Sequence, residues 1–224
     1  MFIEKLIHVQ LAMFFETPEN RPDKLANKIE DVVKDVFDQM PNIIPLPSEA
    51  PPEIPRVIMQ SSDGVFTCNI GSNRVDFIGN FANFDGEIDS IFDEFLIKAY
   101  QFLEAVFESK RVIRFGLVGQ YFFQEDDLTE KLKNKYFKTD IGQFDELNLK
   151  FNKRFNFEDL KFNDIIDINQ GLLNGSNGVE FKGGFIQKDM NNIPSTSIDL
   201  NKIKKLIELN KVKFSKEKIR ELIN

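Results

Sequence analysis

Strand-like segments follow one another directly along this chain, and this succession constrains its fold more than any other feature. Residues 56–60, 65–70 and 74–81 show the alternation of apolar and polar side chains that is typical of half-buried strands. The Asp63-Gly64 pair between the first two segments predicts a tight hairpin turn. Short strands joined by tight turns predict an antiparallel β-meander.

A second succession of strands is predicted in the C-terminal half. Residues 147–157, 162–169 and 179–188 have strand patterns, and the loop 174–178 is predicted to join the last two. The Gly183-Gly184 pair inside the third segment predicts a β-bulge. Two longer apolar segments complete the set of predicted strands, at 6–15 and 111–123.

Apolar residues at helical spacing separate the strands. The predicted helices cover 22–40, 86–108, 127–138, 198–210 and 215–223. Six prolines in 41–55 predict a connection without regular structure. The predicted fold class is therefore α+β, with antiparallel β-meanders packed against two long amphipathic helices and a C-terminal helix pair. We expect one domain over 1–224, with two similar halves, 1–110 and 111–224, as the alternative.

The chain offers few side chains for catalysis near neutral pH. It contains one histidine and one cysteine, whereas histidine is the side chain that most often transfers protons in enzymes. His8 lies inside the first apolar segment, and Cys68 shares a strand face with Phe66 and Ile70, so packing roles are expected for both. The sequence contains no phosphate-binding glycine motif. We therefore predict no catalytic residue and no cofactor.

Oxygen-bearing side chains are the only candidate metal ligands that the sequence offers in number. Zinc sites draw on several cysteines and histidines, which this chain lacks, but carboxylates and amides suit Mg²⁺ or Ca²⁺. Asp167 and Asp189 are the candidate ligands, with Asp164, Asn169 and Asn191 near the ends of the same predicted strands. These residue types also form turns, and no calcium-loop spacing is present, so the primary expectation is no metal site.

Positive charge is concentrated at the C-terminus. The formal charge is −7, yet residues 201–224 contain eight Lys or Arg and three Glu, so this segment carries +5 and the other 200 residues carry −12. Lys204, Lys205, Lys211 and Lys213 are the candidate interaction residues, for an acidic partner, a nucleic acid or a membrane surface. The favoured interpretation is that the segment docks on the acidic remainder of its own chain, as ordinary amphipathic terminal helices do. Nucleic-acid binding elsewhere is not expected, because it requires many phosphate contacts from basic side chains.

The expected location is the cytoplasm, and no membrane association is predicted. A single cysteine cannot form an intramolecular disulfide, which is typical of proteins from reducing compartments. The N-terminal segment lacks the pattern of a signal peptide. No apolar run approaches the roughly 20 residues that a membrane-spanning helix needs.

Three short motifs carry a resemblance to a known family. They are Ser61-Ser62-Asp63-Gly64, Arg74-Val75-Asp76-Phe77 and Arg114-Phe115-Gly116-Leu117. In this order they resemble a sporadically distributed family of uncharacterised prokaryotic proteins, from whose pattern the chain departs at Val118-Gly119-Gln120. The resemblance implies a fold and no reaction, and the patchy distribution of the family suggests a setting in phages, plasmids or defence systems.

These observations predict a non-enzymatic protein that acts through protein–protein contact. Self-association as a homodimer is also expected, because two-fold assemblies are common and sheet edges need protection. The alternative is a small-ligand or nucleotide-binding protein, including a hydrolase that depends on a carboxylate-bound metal. In that alternative Arg111, Arg114 and Lys153 would contact phosphate.

Overall fold

The structure is a computed structural model that describes residues 3–47, 49–175, 178–194 and 197–224. Within these ranges, nine strands and five α-helices are present. The strands are β1 (Glu4–Phe15), β2 (Asn42–Ile43), β3 (Val57–Gln60), β4 (Phe66–Ile70), β5 (Arg74–Asn80), β6 (Val112–Gln124), β7 (Leu149–Phe157), β8 (Leu160–Asn174) and β9 (Glu180–Asn192). The helices are α1 (Pro22–Val32), α2 (Ile88–Phe107), α3 (Leu128–Tyr136), α4 (Leu200–Asn210) and α5 (Lys216–Arg220).

The described strands form one sheet in the order β2-β3-β4-β5-β1-β6-β9-β8-β7. Every neighbouring pair is antiparallel. The two predicted meanders are β3–β5 and β7–β9, and β1 and β6 join them at the centre of the sheet. There Leu11 of β1 pairs with Phe77 of β5 on one side and with Leu117 of β6 on the other. The prediction of an α+β fold with an antiparallel sheet is confirmed.

The helices pack on one side of this sheet. Helix α2 contacts β1 and β5, and α1 contacts α2 and β3. The Tyr136 ring of α3 lies 4.9 Å from the Phe151 ring of β7. The buried hydroxyl of Tyr121 on β6 donates to the backbone oxygen of Phe214, in the 3-10 turn that links α4 to α5. In the described part of the chain, no helix lies on the opposite side of the sheet.

Phenylalanine forms the centre of the core between sheet and helices. The fully buried Phe77 ring lies 5.6 Å from Phe66, 5.2 Å from Phe95 and 5.1 Å from Phe102, measured between ring centroids. Side chains from 1–110 and from 111–224 belong to the same contiguous apolar core. Truncation of such a ring to alanine costs about 3–5 kcal/mol, so this cluster anchors α2 on the sheet.

Helix α1 ends earlier than its apolar periodicity predicts. The predicted helix extends to residue 40, but α1 ends at Val32, and Asp35 adopts a left-handed conformation with a φ of 65°. Val33, Val36 and Phe37 remain buried in the following turns. The apolar periodicity continues past Val32 because the turns after α1 face the same core as the helix. The spacing of apolar residues therefore does not distinguish the helix from these turns.

The proline-rich segment also differs from its prediction. Residues Asn42–Ile43 form the short edge strand β2, with Asn42 paired to Ile58 and Ile43 to Val57. The expectation of no regular structure in 41–55 is therefore wrong for two residues. Prolines on both sides of β2 keep this edge strand short, which limits its ability to pair with another chain.

The β-bulge predicted at Gly183-Gly184 is wrong, since the pairing of β9 with β6 and β8 continues through both residues without a shift. The glycines instead make room for neighbouring side chains. A Cβ atom on Gly183 would lie 2.8 Å from the Phe122 ring, and one on Gly184 would lie 3.1 Å from Leu128. The register between the central strands β1 and β6 shifts at two other places, between Leu6 and His8 and between Phe14 and Phe15.

Strands β8 and β9 are both longer than predicted. Strand β8 ends at Asn174 and strand β9 begins at Glu180, so the loop between them nearly coincides with the predicted loop 174–178. Residues 176 and 177 of that loop lie outside the described residues. Among the helices that the structure describes, none has the length and apolarity needed to cross a membrane.

Candidate binding surfaces

The side of the sheet opposite the helices, called here the open face, carries polar side chains on its central strands. Strand residues alternate between the two sides of a sheet, so polar residues at every second position share this face. The register places in it His8, Gln10 and Phe14 of β1, Arg114, Val118, Gln120 and Phe122 of β6, Asn163, Ile165 and Asp167 of β8, and Phe185, Gln187, Asp189 and Asn191 of β9.

Amide side chains form hydrogen bonds across the open face. Gln120 donates to Gln187 over 3.0 Å, and Asn163 donates to Asn191 over 3.2 Å. Asn191 in turn donates to Asp189 over 2.9 Å. An amide has two donor hydrogens and an acceptor oxygen, so a side chain with one such bond retains groups for another. This network orders the surface and leaves it able to bind a polar partner.

Two arginines flank Phe14 at one end of the open face. The guanidinium carbons of Arg74 and Arg114 lie 4.9 Å and 5.1 Å from the centre of the Phe14 ring. Arg74 donates to the buried Asp76, which also accepts from Gln10. The Nε atom of Arg114 is buried and has no hydrogen-bond partner among the described residues.

Apolar groups are also present within this polar surface. The Phe122 and Phe185 rings contact each other with 5.1 Å between centroids, and Phe122 lies outside the main core although it is fully buried. Gly171 provides space for Phe185, since a Cβ atom there would lie 2.8 Å from the ring. The open face therefore combines aromatic, arginine and amide side chains.

The predicted metal ligands do not form one cluster. Asp167 pairs with Lys150 over 3.2 Å and accepts from Asn169, whereas Asp189 accepts from Asn191. Both carboxylates lie on the open face. Asp164 lies on the opposite side of the sheet, against which the helices pack and which is called here the helix side, and its partner is the buried Lys188. Within the described ranges, no three His, Cys, Asp or Glu residues are close enough to hold a metal ion together.

The single histidine and cysteine have local partners. His8 lies on the open face, with its Nδ1 atom 3.1 Å from the side-chain oxygen of Asn80. Cys68 is fully buried in β4. Burial, with a smaller contribution from the charge of Asp76, raises the pKa of its thiol well above the usual value. The thiol is therefore protonated and shielded from reagents at neutral pH.

All four predicted interaction lysines form ion pairs within the chain. Lys204 pairs with Glu104, Lys205 with Glu158 over 3.2 Å, Lys211 with Asp93 over 3.7 Å, and Lys213 with Asp164 over 3.5 Å. The other basic residues of 201–224 also pair with carboxylates, namely Lys202, Lys216, Lys218 and Arg220. Apart from the Lys218–Glu221 pair, which lies within the segment, these contacts are the ones expected if the segment docks on the acidic remainder of its own chain.

The three predicted phosphate-binding residues lie apart. Arg111 pairs with Glu16 over 3.2 Å, and Arg114 belongs to the open face. Lys153 projects from β7 on the helix side, directly opposite Asp164. The structure thus does not bring Arg114 and Lys153 to one site.

A cluster of lysines on the helix side was missed by the sequence analysis. Lys188 of β9 is buried, with 5% of its side chain exposed, and forms an ion pair with Asp164 of β8. Burial, together with the positive charges of Lys213 and Lys153, lowers the pKa of Lys188 despite that ion pair. The available signal was a lysine at an inward position, between Ile186 and Met190 in a strand with alternating pattern.

Two clefts lie away from the open face. One, of about 550 Å³, separates the end of α2 from the start of α4 and is lined by Phe107, Ile198 and Lys202 among others. The second, of about 440 Å³, lies beside the proline-rich segment, where Arg56 is part of its wall. Both are wide open to solvent, and neither is lined by the candidate metal ligands Asp167 and Asp189 or by the predicted phosphate-binding residues.

No family model matches this chain, and no curated protein matches it.

Proposed function

We propose that this chain is a non-enzymatic binding protein that engages a protein partner through its open face. The observation that carries the proposal is the broad side of the sheet left without a helix in the described structure, with its ordered network of amides. A broad surface of this form suits a protein partner, because stable protein–protein interfaces cover roughly 800 Å² on each partner.

The side chains of the open face support this choice. Aromatic residues and arginine are enriched where proteins meet, and they often dominate the binding energy. Phe14 between two arginines and Phe185 beside Phe122 provide such groups. Arg114, whose guanidinium lies against Phe14 within the open face, is the residue for which we expect the largest loss of binding upon substitution.

The proposal also covers the cellular location of the chain and the role of its helices. Residues 1–224 act as one unit in the cytoplasm, and the helices, including the predicted C-terminal pair, serve as a rigid backing for the sheet. The partner belongs to a phage, plasmid or defence system, as the motif resemblance implies, or it is a second copy of the chain that forms a homodimer.

The test introduces charge into the centre of the open face. Gln120 and Gln187 contact each other there, so Gln120→Arg and Gln187→Arg place a bulky cation in the proposed interface without altering the core. Gln101→Arg makes the same chemical change at an exposed position of α2, on the opposite side of the molecule. It is the matched control.

Binding is measured by affinity capture from extracts of the source organism with quantitative mass spectrometry, and self-association by light scattering. We expect one stoichiometric partner, or a dimer, that is retained by Gln101→Arg and reduced at least about tenfold by each open-face variant. Equal capture by all variants would place the interface elsewhere and refute the proposal. A monomer without any protein partner would also refute it.

A further inference from the structure

Three lysines surround one carboxylate on the helix side of the sheet, and together they are called the lysine cluster. Lys153 on β7 lies directly opposite Asp164 on β8, and Lys188 projects from the adjacent strand β9. Lys213 comes from the 3-10 turn after α4. The three neighbouring strands and the C-terminal segment therefore bring the three lysines and Asp164 together.

The lysine cluster has more positive than negative charge. Asp164 contacts Lys188 through Oδ1 and Lys213 through Oδ2, which is 3.5 Å from the ammonium nitrogen. Lys153 forms no ion pair with any described residue. The carboxylates at the nearby β7–β8 turn, Glu158 and Asp159, are already paired with Lys202 and Lys205. Two ammonium groups thus share the Asp164 carboxylate, and the unpaired Lys153 lies directly opposite it in the sheet.

The electrostatic environment of Lys188 shows the effect of this imbalance. Burial lowers the pKa of its ammonium group, and repulsion from Lys213 and Lys153 adds to that effect. The ion pair with Asp164 only partly compensates. An additional anion at this position would relieve the repulsion.

We infer that the lysine cluster binds a phosphoryl group of a small ligand, whose oxygen atoms bridge Lys153 and Lys213 above Lys188. Lysine ammonium groups are compact point charges that commonly bind phosphate in proteins. Lys213 and Lys153 supply the accessible side of the site, since Lys153 is exposed and 39% of the Lys213 side chain is exposed.

An aromatic surface adjoins the cationic groups. The Lys213 nitrogen lies 4.6 Å from the centre of the Phe155 ring, which stacks on Phe162 with 5.4 Å between centroids. Phe162 is buried, so the partly exposed Phe155 ring is the aromatic group that the organic part of a phosphorylated molecule would contact. A nucleic-acid strand fits less well, because it needs several phosphate contacts and the other basic residues of 201–224 are paired with carboxylates. The site is independent of the open face.

The probe is inorganic phosphate, added to the full chain at constant ionic strength. Binding is measured by isothermal titration calorimetry and by the rise in Tm that a ligand of the folded state produces. Lys153→Met and Lys213→Met each remove one accessible charge. Lys161→Met is the matched control, because Lys161 is an exposed lysine of the same hairpin whose register places it on the other side of the sheet.

We expect phosphate to raise the Tm of the wild type and of Lys161→Met, and its Kd to rise about tenfold or more in each cluster variant. Lys153 is exposed, so Lys153→Met retains the wild-type Tm without phosphate. The inference is overturned if phosphate has no effect on the wild type, or if Lys161→Met loses binding as much as the cluster variants do. Binding of single-stranded DNA without any binding of phosphate would also overturn it.

Discussion

The buried hydroxyl of Tyr121 donates a hydrogen bond of 2.8 Å to the backbone oxygen of Phe214. This bond connects the central strand β6 to the 3-10 turn of the C-terminal segment, where the Phe214 ring also stacks on Phe92 of α2 with 5.3 Å between centroids. Burial, followed by the charge of Asp89, raises the pKa of the Tyr121 hydroxyl, so the donor keeps its proton. The tail is thus held by the core as well as by its ion pairs.

Removal of that hydroxyl should loosen the C-terminal segment. Tyr121→Phe leaves the Phe214 oxygen buried without its donor, and we expect the free energy of unfolding to fall by about 1–2 kcal/mol. Urea unfolding measures this loss, and hydrogen exchange should show it mainly in 200–224. Tyr136→Phe is the comparison, since its hydroxyl bonds to Leu222 at a partly exposed site and should matter less. An unchanged stability in Tyr121→Phe would contradict this view of the docking.

The Asp164 carboxylate should be essential for the stability of the lysine cluster. Asp164→Asn leaves Lys188 buried without a counter-charge, and loss of one partner of a buried ion pair costs about 3–5 kcal/mol. The double variant Asp164→Leu with Lys188→Met removes both charges and should recover most of this loss. Chemical denaturation of the three proteins makes the comparison. Equal stability of Asp164→Asn and wild type would show that Lys188 does not depend on Asp164.

Gly183 should tolerate no larger side chain. A Cβ atom there would collide with the backbone oxygen of Phe123 and lie 2.8 Å from the Phe122 ring, so we expect Gly183→Ala to cost about 2–3 kcal/mol. Gly116→Ala on the same side of the sheet is the control, because its nearest neighbour would be 3.5 Å away. That variant should change stability by less than about 1 kcal/mol. Similar losses in both variants would mean that strand propensity, rather than ring packing, determines the effect.

The Cys68 thiol should react only in the unfolded chain. Its burial excludes reagents and raises its pKa, so a thiol-specific reagent should label the native protein slowly. Raising the pH to about 9 should accelerate labelling in urea, where an ordinary thiol ionises, but should change the native rate little. Rapid native labelling with the same pH dependence as the unfolded chain would contradict the packing of β4.

Local features of the fold could be predicted from the sequence, whereas long-range pairings could not. The Asp63-Gly64 turn and the inward alternation of Phe66, Cys68 and Ile70 are present as predicted, since both depend on neighbouring residues. The position of β1 between β5 and β6 depends on contacts between distant parts of the chain. No local pattern encodes such a neighbour, so the central strands could be predicted individually but not their order.

The candidate surfaces also depend on long-range pairings that the sequence does not predict. Lys153 and Asp164 were each singled out from the sequence, for phosphate and for metal, but only the register of β7 and β8 places them opposite each other. Lys188 was missed because a lysine at an inward position of a strand gives no sign of the carboxylate it will meet. The open face arises from the placement of all described helices on one side, which no single helix pattern predicts.

Oxidative footprinting of the captured complex tests the central claim most directly. Hydroxyl radicals label accessible aromatic side chains, so the labelling of Phe14 and Phe185 on the open face is compared between the free and partner-bound chain. Phe144, which is 47% exposed and lies outside this face, is the internal reference. We predict that the partner protects Phe14 and Phe185 and leaves Phe144 unchanged. Unchanged labelling of Phe14 and Phe185 in the bound chain would contradict binding through the open face.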